Sequence, residues 1–122
     1  PNNATVLNNY AYYLSERDDK LEEAERMSKK SNLLVDNNSA FIDTYAWIMY
    51  KMKNYKEALD WMEQAMALPD AKERPELLSH YGDILFKVGE EAKAIEQWQK
   101  AIAKGGDKTT LENKIKNPKL IK

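Results

Sequence analysis

Apolar residues recur along this chain in steps of three and four, the spacing that places side chains on one face of an α-helix. No stretch alternates apolar and polar residues as a half-buried strand would, and no run rich in Val and Ile competes with the helical pattern. The pattern predicts helices near residues 4–16, 20–34, 39–51, 55–67, 75–87 and 91–104, and a shorter one over 109–117. The sequence therefore indicates an all-α protein.

Residues suited to helix ends stand at the predicted boundaries. Pro75 fits the first turn of a helix, and Gly89 fits the left-handed position that ends one. The predicted N-terminal caps are Asn38, a capping box of Asn54 with Glu57, and a second capping box of Thr109 with Glu112. This punctuation groups the predicted helices into consecutive pairs.

Three segments share one order of large and small residues, and the Ala of each second helix recurs about every 35 residues. The shared positions are Leu7, Tyr10, Ala11, Leu14 and Ala24, then Ile42, Tyr45, Ala46, Met49 and Ala58, then Leu78, Tyr81, Gly82, Leu85 and Ala94. Small residues in mid-helix allow the two helices of a pair to approach closely. A single pair cannot bury its own apolar face, so neighbouring pairs are expected to stack.

These segments resemble tetratricopeptide repeats, in which a large–large–small–large series is followed by Ala and an aromatic residue. The third segment matches best, with Trp98 in the aromatic position, whereas the second has Met62 there and the first has Ser28. The resemblance implies a right-handed α-solenoid of three helix pairs plus a C-terminal capping helix. It implies one domain over 1–122, with repeats at about 4–36, 39–70 and 75–106 and a capping helix at about 109–117.

The start of the chain resembles the loop that closes a preceding repeat, and it lacks Met. We therefore expect the C-terminal part of a longer, bacterial-type solenoid, whose first helix has lost the neighbour that covered it. The residues expected to be partly bare are Val6, Leu7, Tyr10, Tyr13 and Leu14. Bare apolar surface favours association, so we predict a weak homodimer through residues 4–14.

The resemblance also implies a partner site, because in this family the first helix of each repeat lines a concave groove that holds a peptide or helix of another protein. The corresponding residues are Asn8, Asn9, Tyr12, Asp43, Thr44, Trp47, Tyr50, Ser79, His80, Asp83 and Phe86. Aromatic rings supply contact area, and Asn and Asp can bond a partner's backbone. The alternative interpretation is that these residues are solvated or pack within the solenoid, with any partner site upstream.

Composition narrows the function further. A net charge of −1 argues against nucleic-acid binding by bulk attraction, and the Lys-rich segment from Lys108 onward fits a solvated capping helix better than a phosphate or membrane contact. No apolar run is long enough to cross a bilayer, so no membrane insertion is expected. The chain has no Cys and one His, and we predict no metal and no cofactor. The sequence does not indicate the cellular compartment of the protein.

A catalytic role is not expected. Ser79 and His80 are consecutive in a helix and diverge by about 100°, so they do not form the nucleophile and base of a triad. The leading interpretation is a protein–protein interaction scaffold. The alternatives are a structural C-terminal cap or self-association segment of a longer solenoid, and an accessory module of an enzyme whose catalytic domain lies elsewhere.

Overall fold

The computed structural model describes residues 3–121, apart from the side chain of Leu120, and this part of the chain consists of helices and loops without a strand. The helices are α1 (Ala4–Glu16), α2 (Leu21–Leu34), α3 (Ser39–Lys51), α4 (Tyr55–Met66), α5 (Pro75–Lys87), α6 (Glu91–Ala103) and α7 (Lys108–Lys116), with short 3₁₀ turns at Ala71–Glu73 and Pro118–Leu120. Each boundary agrees with the sequence prediction to within one residue. The predicted closing loop at residues 1–2 lies outside the described residues.

Three of the predicted helix-end residues are confirmed. The side chain of Asn38 accepts a hydrogen bond from the backbone N–H of Phe41 at 3.0 Å, which caps α3. Pro75 occupies the first turn of α5. Gly89 has a φ of 93°, a left-handed conformation that residues with a Cβ rarely adopt.

Both predicted capping boxes are wrong. Asn54 precedes α4 without a side-chain capping hydrogen bond, and its amide N–H donates to the carboxylate of Glu57 at 2.7 Å. The last helix begins at Lys108 and is capped by Asp107, whose Oδ1 accepts from the N–H of Thr110 at 3.3 Å. The hydroxyl of Thr110 also donates to Asp107 at 3.0 Å, so this aspartate organises the start of α7.

The chain divides into two compact units, Pro1–Leu68 and Pro69–Lys122, and the single domain predicted over 1–122 stays a prediction. In the first unit α1 pairs with α2 and α3 pairs with α4, while α3 also packs against α1 and α2. The small residues predicted at the helix contacts, Ala11, Ala24, Ala46 and Ala58, are fully buried. Close helix approach therefore builds the core of this unit.

The second unit pairs α5 with α6 and packs α7 against α6. Trp98 fills the aromatic position of its repeat and is fully buried. A Cβ added at Gly82 would lie 2.5 Å from Cδ1 of Trp98, so the indole occupies the space that any larger residue would need. The absence of a side chain at Gly82 is therefore what allows the Trp98 ring to pack there.

The exposed face of α1 is smaller than predicted. Val6, Tyr10 and Tyr13 are exposed to 52%, 45% and 53%. Leu7 and Leu14, expected to be partly bare, are buried together with Ala11 on the adjacent stripe of the helix. The first unit therefore seals its own interior and leaves one aromatic stripe uncovered.

Candidate functional site

Most of the groove residues predicted in the first unit are buried. Asp43, Thr44, Trp47 and Tyr50 on α3 are each less than one-tenth exposed, as is Asn8 on α1. In contrast, Asn9 is exposed and Tyr12 is half-buried. Asn9 and Tyr12 are thus the only predicted groove residues of this unit that are not buried. Their place in a partner groove stays a prediction, and it rests on fewer residues than expected.

The buried aromatic residues of α3 have structural partners. Trp47 stacks on Tyr50, with ring centroids 4.5 Å apart and planes within 7° of each other. The indole N–H of Trp47 donates to the carboxylate of Glu16 at 3.0 Å, which ties α3 to the end of α1. Removing the Trp47 ring would therefore disturb the core as well as any partner contact.

The buried amide of Asn8 differs from these, because its Oδ1 has no hydrogen-bond partner among the described residues. A buried acceptor without a donor costs about 1–3 kcal/mol. Asn8 precedes Tyr12 by four positions on α1, so the two residues share a helix face. The exposed Asn9 follows Asn8 directly. Sequence reasoning selected Asn8 for this face but gave no sign that its oxygen would be unsatisfied.

In the second unit, the structure brings Ser79 and His80 to a cleft of about 290 Å³, which we call the α5–α7 cleft. Its lining consists of Pro75, Glu76, Ser79 and His80 from α5, with Gly106, Asp107, Thr110 and Leu111 from the start of α7. Ser79 is half-buried and His80 is buried. The α7 wall was missed from sequence because that helix was interpreted only as a cover for the last repeat.

The α5–α7 cleft is acidic, although most of its lining surface is apolar. Its lining holds the carboxylates of Glu76 and Asp107 and no Lys or Arg. Arg74, outside the lining, partly offsets Glu76 through an ion pair of 3.5 Å. Such a surface favours groups that donate hydrogen bonds or carry positive charge, such as backbone N–H groups or basic side chains.

Asp83 and Phe86 do not lie on this cleft. Asp83 is buried and accepts from the indole N–H of Trp98 at 3.0 Å and from the ammonium of Lys114 at 2.9 Å. Phe86 is half-buried, and its ring centroid lies 6.4 Å from that of Trp98. The contacts of these two residues therefore stabilise the second unit.

Within residues 3–121, no group of His, Asp and Glu side chains is arranged to hold a metal ion. None of the described helices combines the length and the apolar character needed to span a membrane. Of the predicted groove residues, Asn9 and Tyr12 therefore remain as a candidate partner surface on α1, and Ser79 and His80 at the α5–α7 cleft.

No family model matches the chain. A TPR repeat-containing protein of Pseudomonas aeruginosa is 30% identical over 84 residues, which cover 68% of this chain. The matched segment is 14% of that relative, so the chain spans only a small part of its length.

Two solved structures share the fold. The type III secretion translocator chaperone SycD of Yersinia enterocolitica superposes with a TM-score of 0.77 at 20% identity, covering 96% of this chain and 92% of its own. A thermophilic TPR protein of Thermus thermophilus superposes with a TM-score of 0.72 at 19% identity, covering 97% and 63%. The all-α fold of helix pairs predicted from the repeats is confirmed.

Proposed function

The chain belongs to the tetratricopeptide repeat family, and from this premise we propose that it is a protein–protein interaction scaffold whose first helices hold a peptide or helix of a partner protein. The α5–α7 cleft carries the proposal. It is open, it carries two carboxylates in a largely apolar lining, and it contains two of the residues that the repeat pattern assigns to a partner groove, Ser79 and His80. The fold neighbour from Yersinia is by name a translocator chaperone, which agrees with a protein-handling role.

The chemistry of the cleft suggests what a partner would present there. Glu76 and Asp107 are acceptors, and Asp107 already uses both oxygens to hold Thr110. Glu76 lies in the first turn of α5 and is half-exposed, so it is the more available of the two carboxylates. We therefore expect a partner segment with a Lys or Arg side chain, or with free backbone N–H groups, in this cleft.

In the first unit the proposal uses Asn9, which is exposed on α1, and Tyr12, which is half-buried beside it. This binding role requires neither a cofactor nor a catalytic step.

The test is selection of random twelve-residue peptides displayed on phage against the chain, followed by titration of the enriched peptides. Ser79→Arg would fill the α5–α7 cleft, and Asn9→Arg would cover the open part of α1. The matched control is Ala92→Arg, an exposed position near the start of α6. We expect the selected peptides to lose about tenfold or more in affinity on one of the first two variants and none on the control. Equal binding by all three variants would contradict the proposal.

A second role, self-association, is favoured by a separate observation. Tyr10 and Tyr13 stack with ring centroids 6.2 Å apart on the exposed face of α1, and Arg17 lies over the Tyr13 ring at 5.5 Å. This organised aromatic stripe is a surface on which a second copy could pack, and its test is given in the Discussion.

A further inference from the structure

A cleft of about 470 Å³ lies in the first unit beside the second helices of its two repeats, and we call it the α2–α4 cleft. Its walls are α2 and α4, and α3 contributes its floor. The lining residues are Lys29, Asn32, Leu33, Asp36, Asn37, Ile42, Tyr45, Trp61 and Gln64. Ile42 and Tyr45 on the floor are shared repeat positions, and the other lining residues are not.

The side chains around the α2–α4 cleft are held in place by specific contacts. Tyr45 meets Trp61 edge to face, with centroids 5.0 Å apart, and its hydroxyl donates to Glu25 at 3.3 Å. The amide of Asn32 donates to the carbonyl oxygens of Ser28 at 3.0 Å and Phe41 at 3.1 Å, which joins the α2 wall to the start of α3. The aromatic wall and the floor are thus organised before any partner arrives, which lowers the entropic cost of binding.

The α2 wall ends in an uncovered apolar run. Leu33 is 76% exposed, and Leu34 and Val35 follow it at 45% and 40%. Single exposed apolar residues are ordinary, but Leu33 lines the cleft together with Ile42 and Trp61, so its uncovered side chain extends the apolar part of the lining. A volume of about 470 Å³ lies in the range that protein pockets use for small ligands or anchor side chains.

Two acidic residues lie on the α4 side of this apolar centre. On α4, Glu57 and Asp60 are exposed and lie one turn apart on the face that also presents Trp61 and Gln64. Glu25 lies at the Tyr45 end of the cleft and Asp36 at the turn, whereas Lys29 is the single basic residue of the lining. The lining itself holds one carboxylate, Asp36, and one ammonium, Lys29, whereas Glu57 and Asp60 add two negative charges beside Trp61. These two carboxylates attract a partner whose apolar residues are flanked by basic ones.

We propose that the α2–α4 cleft binds a segment of another protein that inserts an apolar anchor side chain between Leu33 and Trp61 and places Lys or Arg side chains against Glu57 and Asp60. This surface belongs to the second helices, so it is independent of the α5–α7 cleft and of the first-helix face. A chain with both surfaces can hold two segments at once, which is the property that joins partners in a scaffold.

The experiment is an NMR titration of the ¹⁵N-labelled chain with three acetylated, amidated seven-residue peptides. The first has Leu and Phe at its centre and Lys on both sides, the second replaces each Lys by Glu, and the third replaces Leu and Phe by Ala. We expect the first peptide to cause saturable shifts at the indole N–H of Trp61 and at the amides of Leu33 and Asn37. The other two peptides should bind about tenfold or more weakly.

Leu33→Ser should abolish the shifts without unfolding the chain, since this side chain is three-quarters exposed. Leu34→Ser is the matched control, because it removes an exposed apolar side chain one residue further on that does not line the cleft. Asp60→Lys should weaken binding of the Lys peptide and strengthen that of the Glu peptide.

Three results would overturn the proposal. The first is the absence of saturable shifts at the cleft residues, and the second is equal binding of the Lys and Glu peptides. The third is a concentration-dependent shift of Trp61 without peptide, which would assign the cleft to a second copy of the chain.

Discussion

Lys114 on α7 places its ammonium 2.9 and 3.0 Å from the two carboxylate oxygens of Asp83 on α5. The Asp83 side chain is only 7% exposed, and its Oδ1 also accepts from the fully buried indole of Trp98. One carboxylate therefore joins α5, α6 and α7. Asp83 entered the predicted groove by its position in the repeat, and in the structure it anchors the C-terminal helix.

We expect Asp83→Ala to destabilise the chain by about 3 kcal/mol, because it leaves a buried indole N–H and a partly buried ammonium without their acceptor. Lys114→Met should cost less, since the carboxylate keeps its hydrogen bond from Trp98. Urea unfolding followed by circular dichroism measures both. Lys116→Met, on an exposed side of α7, is the control, and equal midpoints for all three variants would contradict the anchoring role.

Overpacking at the small repeat positions should also destabilise the chain. Gly82→Ala places a Cβ within 2.5 Å of Cδ1 of Trp98, and Ala46→Leu adds three carbons at a fully buried position. The expected cost of each is about 1–3 kcal/mol or more. Thermal unfolding checks this, with Lys104→Leu as the exposed comparison. A melting temperature for Gly82→Ala equal to that of the wild type would mean that the helix pair can open to accept the methyl group.

Removal of the Ser28 hydroxyl should not destabilise the chain. It occupies the aromatic position of the first repeat, is fully buried, and its hydroxyl has no hydrogen-bond partner among the described residues. Ser28→Ala removes this unpaired group, so we expect unchanged stability or a gain of about 1 kcal/mol. Ser31→Ala is the matched comparison, because that hydroxyl donates to the carbonyl of Ser28 at 2.8 Å and its loss should destabilise. An equal loss of stability for Ser28→Ala and Ser31→Ala in urea unfolding would show that the Ser28 hydroxyl does have a hydrogen-bond partner.

Alkaline pH should weaken the first unit through Tyr45. Burial, and next the charge of Glu25, raise the pKa of Tyr45 from 10.0 to about 12. Between these values the unfolded chain releases the phenol proton and the folded chain keeps it, so stability is full below pH 10 and falls as pH rises toward 12. The loss is about 3 kcal/mol at most, from roughly 1.4 kcal/mol per pKa unit.

The measurement is urea unfolding from pH 9 to 12 for the wild type and Tyr45→Phe. The variant lacks the titrating group while the other tyrosines are shared, so its stability should fall less steeply. Parallel curves would mean that the phenol ionises equally in the folded and unfolded chains.

The exposed stripe of Val6, Tyr10 and Tyr13 predicts weak, concentration-dependent dimerisation through residues 4–14. Tyr13→Glu should reduce it, because the charge would be desolvated in a two-fold contact. Ala92→Glu, at an exposed position on α6 outside residues 4–14, is the control. Sedimentation velocity over a wide concentration range decides, and a strict monomer at the highest concentration would exclude this contact.

The sequence by itself determined the helices and their pairing. Apolar spacing is a local property, and the small residues at Ala11, Ala46 and Gly82 specify close helix contacts wherever they occur in this pattern. Helix boundaries were therefore predicted to within a residue. The hydrogen bonds of Asn54 and Asp107 at the helix starts were not predicted. Which partner such a side chain binds depends on distances that are fixed only in the folded loop.

Only the tertiary structure decided which side chains are free. Trp47, Tyr50 and Asp83 occupy groove positions by their place in the repeat, yet each is buried with partners contributed by other turns or helices. The α2–α4 cleft was likewise not predicted, because its lining joins residues from Lys29 to Gln64 that no single helix pattern connects. Exposure depends on what packs above a residue, and periodicity within one helix contains no information about that neighbour.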